Sequence, residues 1–169
     1  MHNDLAVVGP AGDPAAIHGA ADTADAFRRI AATGATFISR GDESGTNAAE
    51  LRFWKAADVE AAGQPWYKEA GSGMGPTLNM AAGIEAYTLS DRGTWANFKN
   101  RGDLRILYAG DPKLFNPYGV ILINPAKYPH VKKAAAGRFI DWITSDAGQQ
   151  AIASYKLGGE QLLFPDSRP

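Results

Sequence analysis

The stretch "TFISRGDESGTNAAELRFWKAA", residues 36–57, decides how the chain reads. It starts as a short apolar run, passes through an arginine, two acids, two hydroxyls and two glycines, and resumes as a helix-like segment. The pattern predicts a strand over 36–39 handing over to a helix at about 46–62, closed by Gly63, with Leu51, Trp54 and Val59 on its apolar side. In open α/β sheets, ligands lie beyond the carboxyl ends of the strands, where helix N-termini converge. A helix start there offers unpaired backbone N–H groups and the positive end of the macrodipole, and both attract anions. Gly41 and Gly45 let the backbone approach closely. Ser44 and Thr46 can donate hydroxyl hydrogens, and Arg40 adds a planar cationic fork suited to two oxygens of a tetrahedral oxyanion. The same residues also have an ordinary reading, in which Ser44 is only a helix cap and Arg40 pairs with Asp42 or Glu43.

Working outward, "DLAVVGP" (4–10) reads as a buried strand. A helix is expected at 23–33, capped by Asp22 or Thr23 and ended by Gly34, with Phe27 and Ile30 on one face. Residues 63–76 read as loop, 77–83 as a short helix, 85–90 as a strand and 91–99 as a helix. "LRILY" and the strongly apolar 120–124 read as strands. Helices at about 130–144, with Val131, Phe139 and Ile143 apolar, and at 146–155 close the chain. Strands alternating with helices, several apolar throughout, predict an α/β fold with a mostly parallel sheet covered on both faces.

Composition narrows the function. A formal net charge of −1 over 169 residues argues against general nucleic-acid binding, which needs a basic field. No window approaches the run of about 18 apolar residues that spans a membrane, and the first residues carry no signal-peptide pattern. There is no cysteine, so disulfides and thiolate chemistry are excluded. The histidines at 2, 18 and 130 have no carboxylate partner at metal-ligand spacing, so no metal or cofactor is expected. "GDESG" is not the nucleophile elbow and no phosphate loop or dinucleotide fingerprint occurs, so the chain does not read as an enzyme.

Five ordered motifs carry a resemblance over about residues 3–165: "FISRGDESGTNAAELRFWKAA", "PWYKEAGSGMGPTLNMA", "AYTLSDRGTWANF", "NPYGVILINP" and "FIDWITSDAGQQAI". Together they are similar to the tungstate-binding proteins of bacterial ABC importers, members of the type II periplasmic solute-binding superfamily. The first also resembles the R-x-D-x-S-G-T loop of phosphate-binding proteins. The resemblance implies Arg40 as the charge-pairing ligand, with Ser44, Gly45 and Thr46 donating through hydroxyl or backbone N–H. Arg92, in the loop "SDRGT", is a further candidate, with pairing to Asp91 or Glu85 as its ordinary reading. In the family the matched region is roughly the last two thirds of the mature protein. The expectation is therefore one complete lobe at 10–111 carrying the anion loop, with 1–9 and 112–169 as crossovers and part of a truncated second lobe.

Tungstate and molybdate are fully deprotonated near neutral pH, and a carboxylate aimed at them would only repel. For a tungstate site, Asp42 should face Arg40 or backbone amides, and Glu43 should face solvent. The implied function is extracytoplasmic capture of tungstate for a membrane permease by closure of two lobes. Alternatives are a phosphate- or molybdate-binding protein, or the ligand-sensing domain of a transcriptional regulator.

Overall fold

The computed structural model describes residues 1–167. Its chain divides into two units, Asp4–Phe115 and a smaller one made of Met1–Asn3 with Asn116–Pro169. Residues 4–9, expected as a crossover, and residues 112–115 fall within the larger unit in this division.

The larger unit is built on β1 (His2–Pro10), whose residues from Leu5 onward are all buried. β1 runs antiparallel between β4 (Thr88–Asp91) and β5 (Leu104–Tyr108). The short β2 (Phe37–Ser39) pairs in parallel with β3 (Tyr67–Glu69), and a parallel bridge from Phe37 to Tyr87 joins it to the strand leading into β4. The expected mostly parallel sheet is thus mixed. A strand that is apolar throughout reports that both its faces are covered, not which way its neighbours run.

Both faces are covered. On one, Leu5, Val7, Phe37, Tyr87 and Leu89 pack against Phe27 and Ile30 of α1 (Thr23–Thr33) and Phe53 and Trp54 of α2 (Gly45–Ala56). On the other, Val8, Ile38 and Leu104 meet Met74, Leu78 and Ala81 of α3 (Met74–Gly83) and Trp95 of α4 (Arg92–Asn97). α1 has the expected bounds because both its ends are encoded locally. The Asp22 carboxylate accepts from the Asp25 amide at 2.8 Å, and Gly34, at φ 65°, takes the left-handed position that ends the helix.

α2 stops at Ala56, well short of the expected 62. Asp58 adopts φ 58°, and the Val59 amide donates to the Trp54 carbonyl at 3.1 Å, a left-handed C-terminal cap made without glycine. The apolar side of α2 is also shifted: Phe53 and Trp54 are buried, whereas Leu51 is 53% exposed. β3 lies inside the expected loop 63–76, and α3 begins three residues before the expected 77.

In the smaller unit, residues 1–3 run beside β6 (Phe115–Pro117), with the Asn116 side chain donating to Asn3 at 2.7 Å. His2 and Phe164 exchange backbone hydrogen bonds of 2.9 Å. α5 (Lys133–Thr144) and α6 (Asp146–Ser154) meet at a tight corner where a Cβ on Gly148 would lie 2.1 Å from the Trp142 carbonyl oxygen. β7 (Lys156–Leu157) and β8 (Glu160–Gln161) form a hairpin through Gly158 and Gly159. Residues 120–124, expected as a strand, are irregular, with Ile121 88% exposed. Similarly, α5 starts later than expected and buries none of its residues.

Candidate functional site

The loop between β2 and α2 is shaped by two left-handed residues, Gly41 at φ 57° and Glu43 at φ 59°. Only glycine suits position 41, because a Cβ there would also approach Glu69 Cβ to 2.9 Å. The turn brings Arg40 back onto Asp42. Arg40 Nε donates to Asp42 Oδ2 at 3.1 Å, and Nη2 donates to the same oxygen. The Ser44 amide donates to the other carboxylate oxygen at 3.2 Å. The Ser44 hydroxyl foremost, with the Arg40 guanidinium and the Ser44 amide, holds the Asp42 carboxyl below its usual range despite some desolvation. Asp42 thus faces Arg40 and a backbone amide, and Glu43 is exposed.

Ser44 caps α2, its Oγ accepting from the Asn47 amide at 3.2 Å. The first helical bond runs from the Ala48 amide to the Ser44 carbonyl at 2.8 Å. Among the described residues, the amides of Gly45 and Thr46, the Thr46 hydroxyl and Arg40 Nη1 make no hydrogen bond. Nothing stands within 4 Å of a Cβ built on Gly45, and Gly45 itself is exposed. Four sequence candidates, Arg40, Ser44, Gly45 and Thr46, therefore come together on one turn. Arg92 opens α4 and is partly buried.

The start of α3 runs alongside. The Ala70 amide donates to the Ser39 carbonyl at 2.9 Å and the Ser72 amide to the Arg40 carbonyl at 3.1 Å. α3 itself begins after Gly73 with no side-chain cap. Two helix N-termini thus flank the loop, and both contribute positive potential at their amide ends. The run "GSGMG" (71–75) falls in the stretch expected as loop, and the bond from Ser72 to Arg40 at its start is a tertiary fact.

Beneath the loop lies a polar network that the sequence reading missed. Glu50, 2% exposed, accepts from Ser39 Oγ at 2.6 Å, Trp54 Nε1 at 3.0 Å and Tyr67 OH at 2.8 Å. Ser39 Oγ in turn accepts from Asn47 Nδ2 at 3.1 Å and from the Gly41 amide at 3.2 Å, while Asn47 Oδ1 accepts from the Glu43 amide at 3.2 Å. The spacing 47, 50, 54 puts these polar groups on one buried face of α2, a signal masked by the expectation of a plain apolar stripe.

Burial is the main cause that pushes the Glu50 carboxyl above its usual range, against the pull of the hydrogen bonds from Ser39, Tyr67 and Trp54. The folded state therefore keeps this proton to higher pH than the unfolded chain. The group's contribution to stability is fully present below the unfolded value of about 4.3 and is lost as pH rises through the folded one. Asp42 acts in the opposite sense: its contribution is present above the unfolded value of about 3.9 and is lost as pH falls through its lowered folded value. As pH rises above about 4.3 and through the folded value, the urea midpoint of the wild-type protein should fall relative to that of Glu50→Gln. Parallel midpoints in the two proteins would contradict the assignment.

Among the described residues no group of three or more His, Asp or Glu could hold a metal ion, and no helix is long and apolar enough to cross a membrane.

A domain model described as a PBP superfamily domain matches residues 1–147. The chain is 40% identical over 171 residues to the tungstate-binding protein TupA of Peptoclostridium acidaminophilum, covering 99% of this chain and 59% of the relative. It spans between half and three fifths of the length of the curated relatives it matches. Among solved structures, the tungstate-binding protein TupA from Desulfovibrio alaskensis superposes with a TM-score of 0.81 at 42% identity, over 99% of this chain and 69% of that one. The tungstate ABC transporter structure from Geobacter sulfurreducens gives a TM-score of 0.83 at 51% identity, over 92% and 66%.

Proposed function

This chain belongs to the PBP superfamily, alongside its tungstate-binding proteins, and on that premise we propose that it serves as a solute-binding component of an ABC importer that captures tungstate. The observation that carries the reading is the turn at 40–46. Two unpaired amides, Gly45 and Thr46, head a 12-residue helix beside an arginine whose Nη1 is uncommitted. Such a turn neutralises a small dianion with donors alone.

The disposition of Asp42 favours a fully deprotonated oxyanion. Its carboxylate is turned to Arg40 and the Ser44 amide, so it is already occupied and is not needed to accept a proton from hydrogen phosphate. Arg40, Gly45 and Thr46 are the ligands in this reading. Ser44 shapes the turn and donates once its hydroxyl leaves Asp42, and Arg92 is a secondary candidate. The unit Asp4–Phe115 is the lobe that carries the anion loop. In this reading the partner is the importer's membrane permease and the location extracytoplasmic, supported by the ABC-transporter proteins it resembles. The reading involves binding and release and no covalent step.

Calorimetric titration of the purified chain with tungstate, molybdate, sulfate and phosphate tests it. Saturable heat is expected with tungstate and molybdate. Heat with phosphate alone, or with none of the four, would overturn the reading.

A further inference from the structure

We propose that Glu50 is the positioning residue of the anion loop: its buried carboxylate takes the Ser39 hydroxyl hydrogen and so sets Ser39 and Asn47 to hold the Gly41 and Glu43 amides. The inference rests on the turn at 40–46 being the anion site, but its geometry can be tested without any ligand.

Counting hydrogens fixes the direction of the network. Trp54 Nε1 can only donate, so Glu50 Oε1 must accept from it. A serine oxygen has two lone pairs, and in Ser39 both are taken, one by the Gly41 amide and one by Asn47 Nδ2. The remaining Ser39 hydrogen points to Glu50 Oε2, at 2.6 Å. Tyr67 donates to Oε1 at 2.8 Å. Every partner of Glu50 is thus a donor, which suits two carboxyl oxygens as acceptors and leaves no place for an amide nitrogen.

The consequence travels to the surface. With its Nδ2 committed to Ser39, Asn47 presents Oδ1 to the Glu43 amide. That contact holds Glu43 in a left-handed conformation that side chains rarely adopt, and the Ser39 contact holds Gly41 in its own. These two residues flank Asp42 and set the direction in which the chain enters α2. The amides of Gly45 and Thr46 are aimed by the same turn.

A glutamine at 50 cannot satisfy the network. Its oxygen must face Trp54, so its NH2 faces Ser39, whose own hydrogen then has no acceptor and displaces the Gly41 or Asn47 contact. In Glu50→Gln, amide hydrogen exchange at Gly41 and Glu43 should accelerate on the order of tenfold, the size of one lost hydrogen bond. Exchange at Phe27 and Ile30 in α1 should keep its wild-type rate. Ser39→Ala, which breaks the relay while leaving Glu50 in place, should release the same two amides. Tyr67→Phe, which removes a Glu50 partner outside the relay, should leave them protected. Tungstate affinity should fall about tenfold in Glu50→Gln and Ser39→Ala.

Unchanged exchange at Gly41 and Glu43 in both Glu50→Gln and Ser39→Ala would overturn the proposal. So would acceleration that extends equally to Phe27 and Ile30, which is what a merely structural role predicts. If the wild-type chain takes up no tungstate, the functional reading fails, while the exchange rates still decide the role of Glu50.

Discussion

Replacing Arg40 by alanine should weaken tungstate binding by about 100-fold or more, taking the calorimetric signal to baseline. Two losses combine. The variant removes charge-assisted donors, each set worth about 1.5–3 kcal/mol. It also strips Asp42 of the cation that neutralises it, leaving a carboxylate on the turn that receives the dianion. The second loss can be separated from the first. Arg40→Ala combined with Asp42→Ala should bind tungstate more tightly than Arg40→Ala alone, because the bared negative charge is gone. Arg40→Lys should fall between wild type and alanine, keeping the charge but losing the planar fork that serves Asp42 and the ligand together. Equal affinities for wild type and Arg40→Ala would remove Arg40 from the site.

Replacing Phe27 by alanine should cost about 3–5 kcal/mol of stability, the range for deleting a buried aromatic ring. Phe27 is fully buried, and its ring centroid lies 4.5 Å from that of Trp54, 5.5 Å from Phe53 and 5.7 Å from Phe37. It therefore joins α1, α2 and β2 in one aromatic cluster directly behind the anion turn. A domain of this size is stable by only about 5–15 kcal/mol, so the variant should unfold at a far lower urea concentration. A loss under about 1 kcal/mol would show that the cluster closes over the gap.

How much of this was legible beforehand depends on whether the deciding information is local. α1 was legible to the residue because Asp22 caps one end and Gly34 ends the other, within the helix's own sequence. α2 was overread because its stop is made by Asp58 in a left-handed conformation, and the glycine at 63 offered a more conspicuous terminator. The run at 120–124 is apolar enough for a strand, but a strand also needs a neighbour to pair with, and composition carries no word of that. The residue types of the turn at 40–46 are legible as a candidate anion turn, because an arginine, glycines and hydroxyls at a helix start suit an oxyanion. The disposition of Asp42 was also legible, since like charges repel. The Ser39–Glu50–Asn47 network was not, because it joins a strand end to the inside of a helix and draws in Tyr67 from another strand.

The central claim is that the turn at 40–46 receives a tungstate ion through the amides at the head of α2. The most direct measurement is a tungstate titration followed by the amide resonances of Gly45 and Thr46. Both should move in a saturable way, with Phe27 and Ile30 unmoved. Resonances at 45 and 46 that stay fixed while tungstate binds, or while it fails to bind at all, would contradict the account.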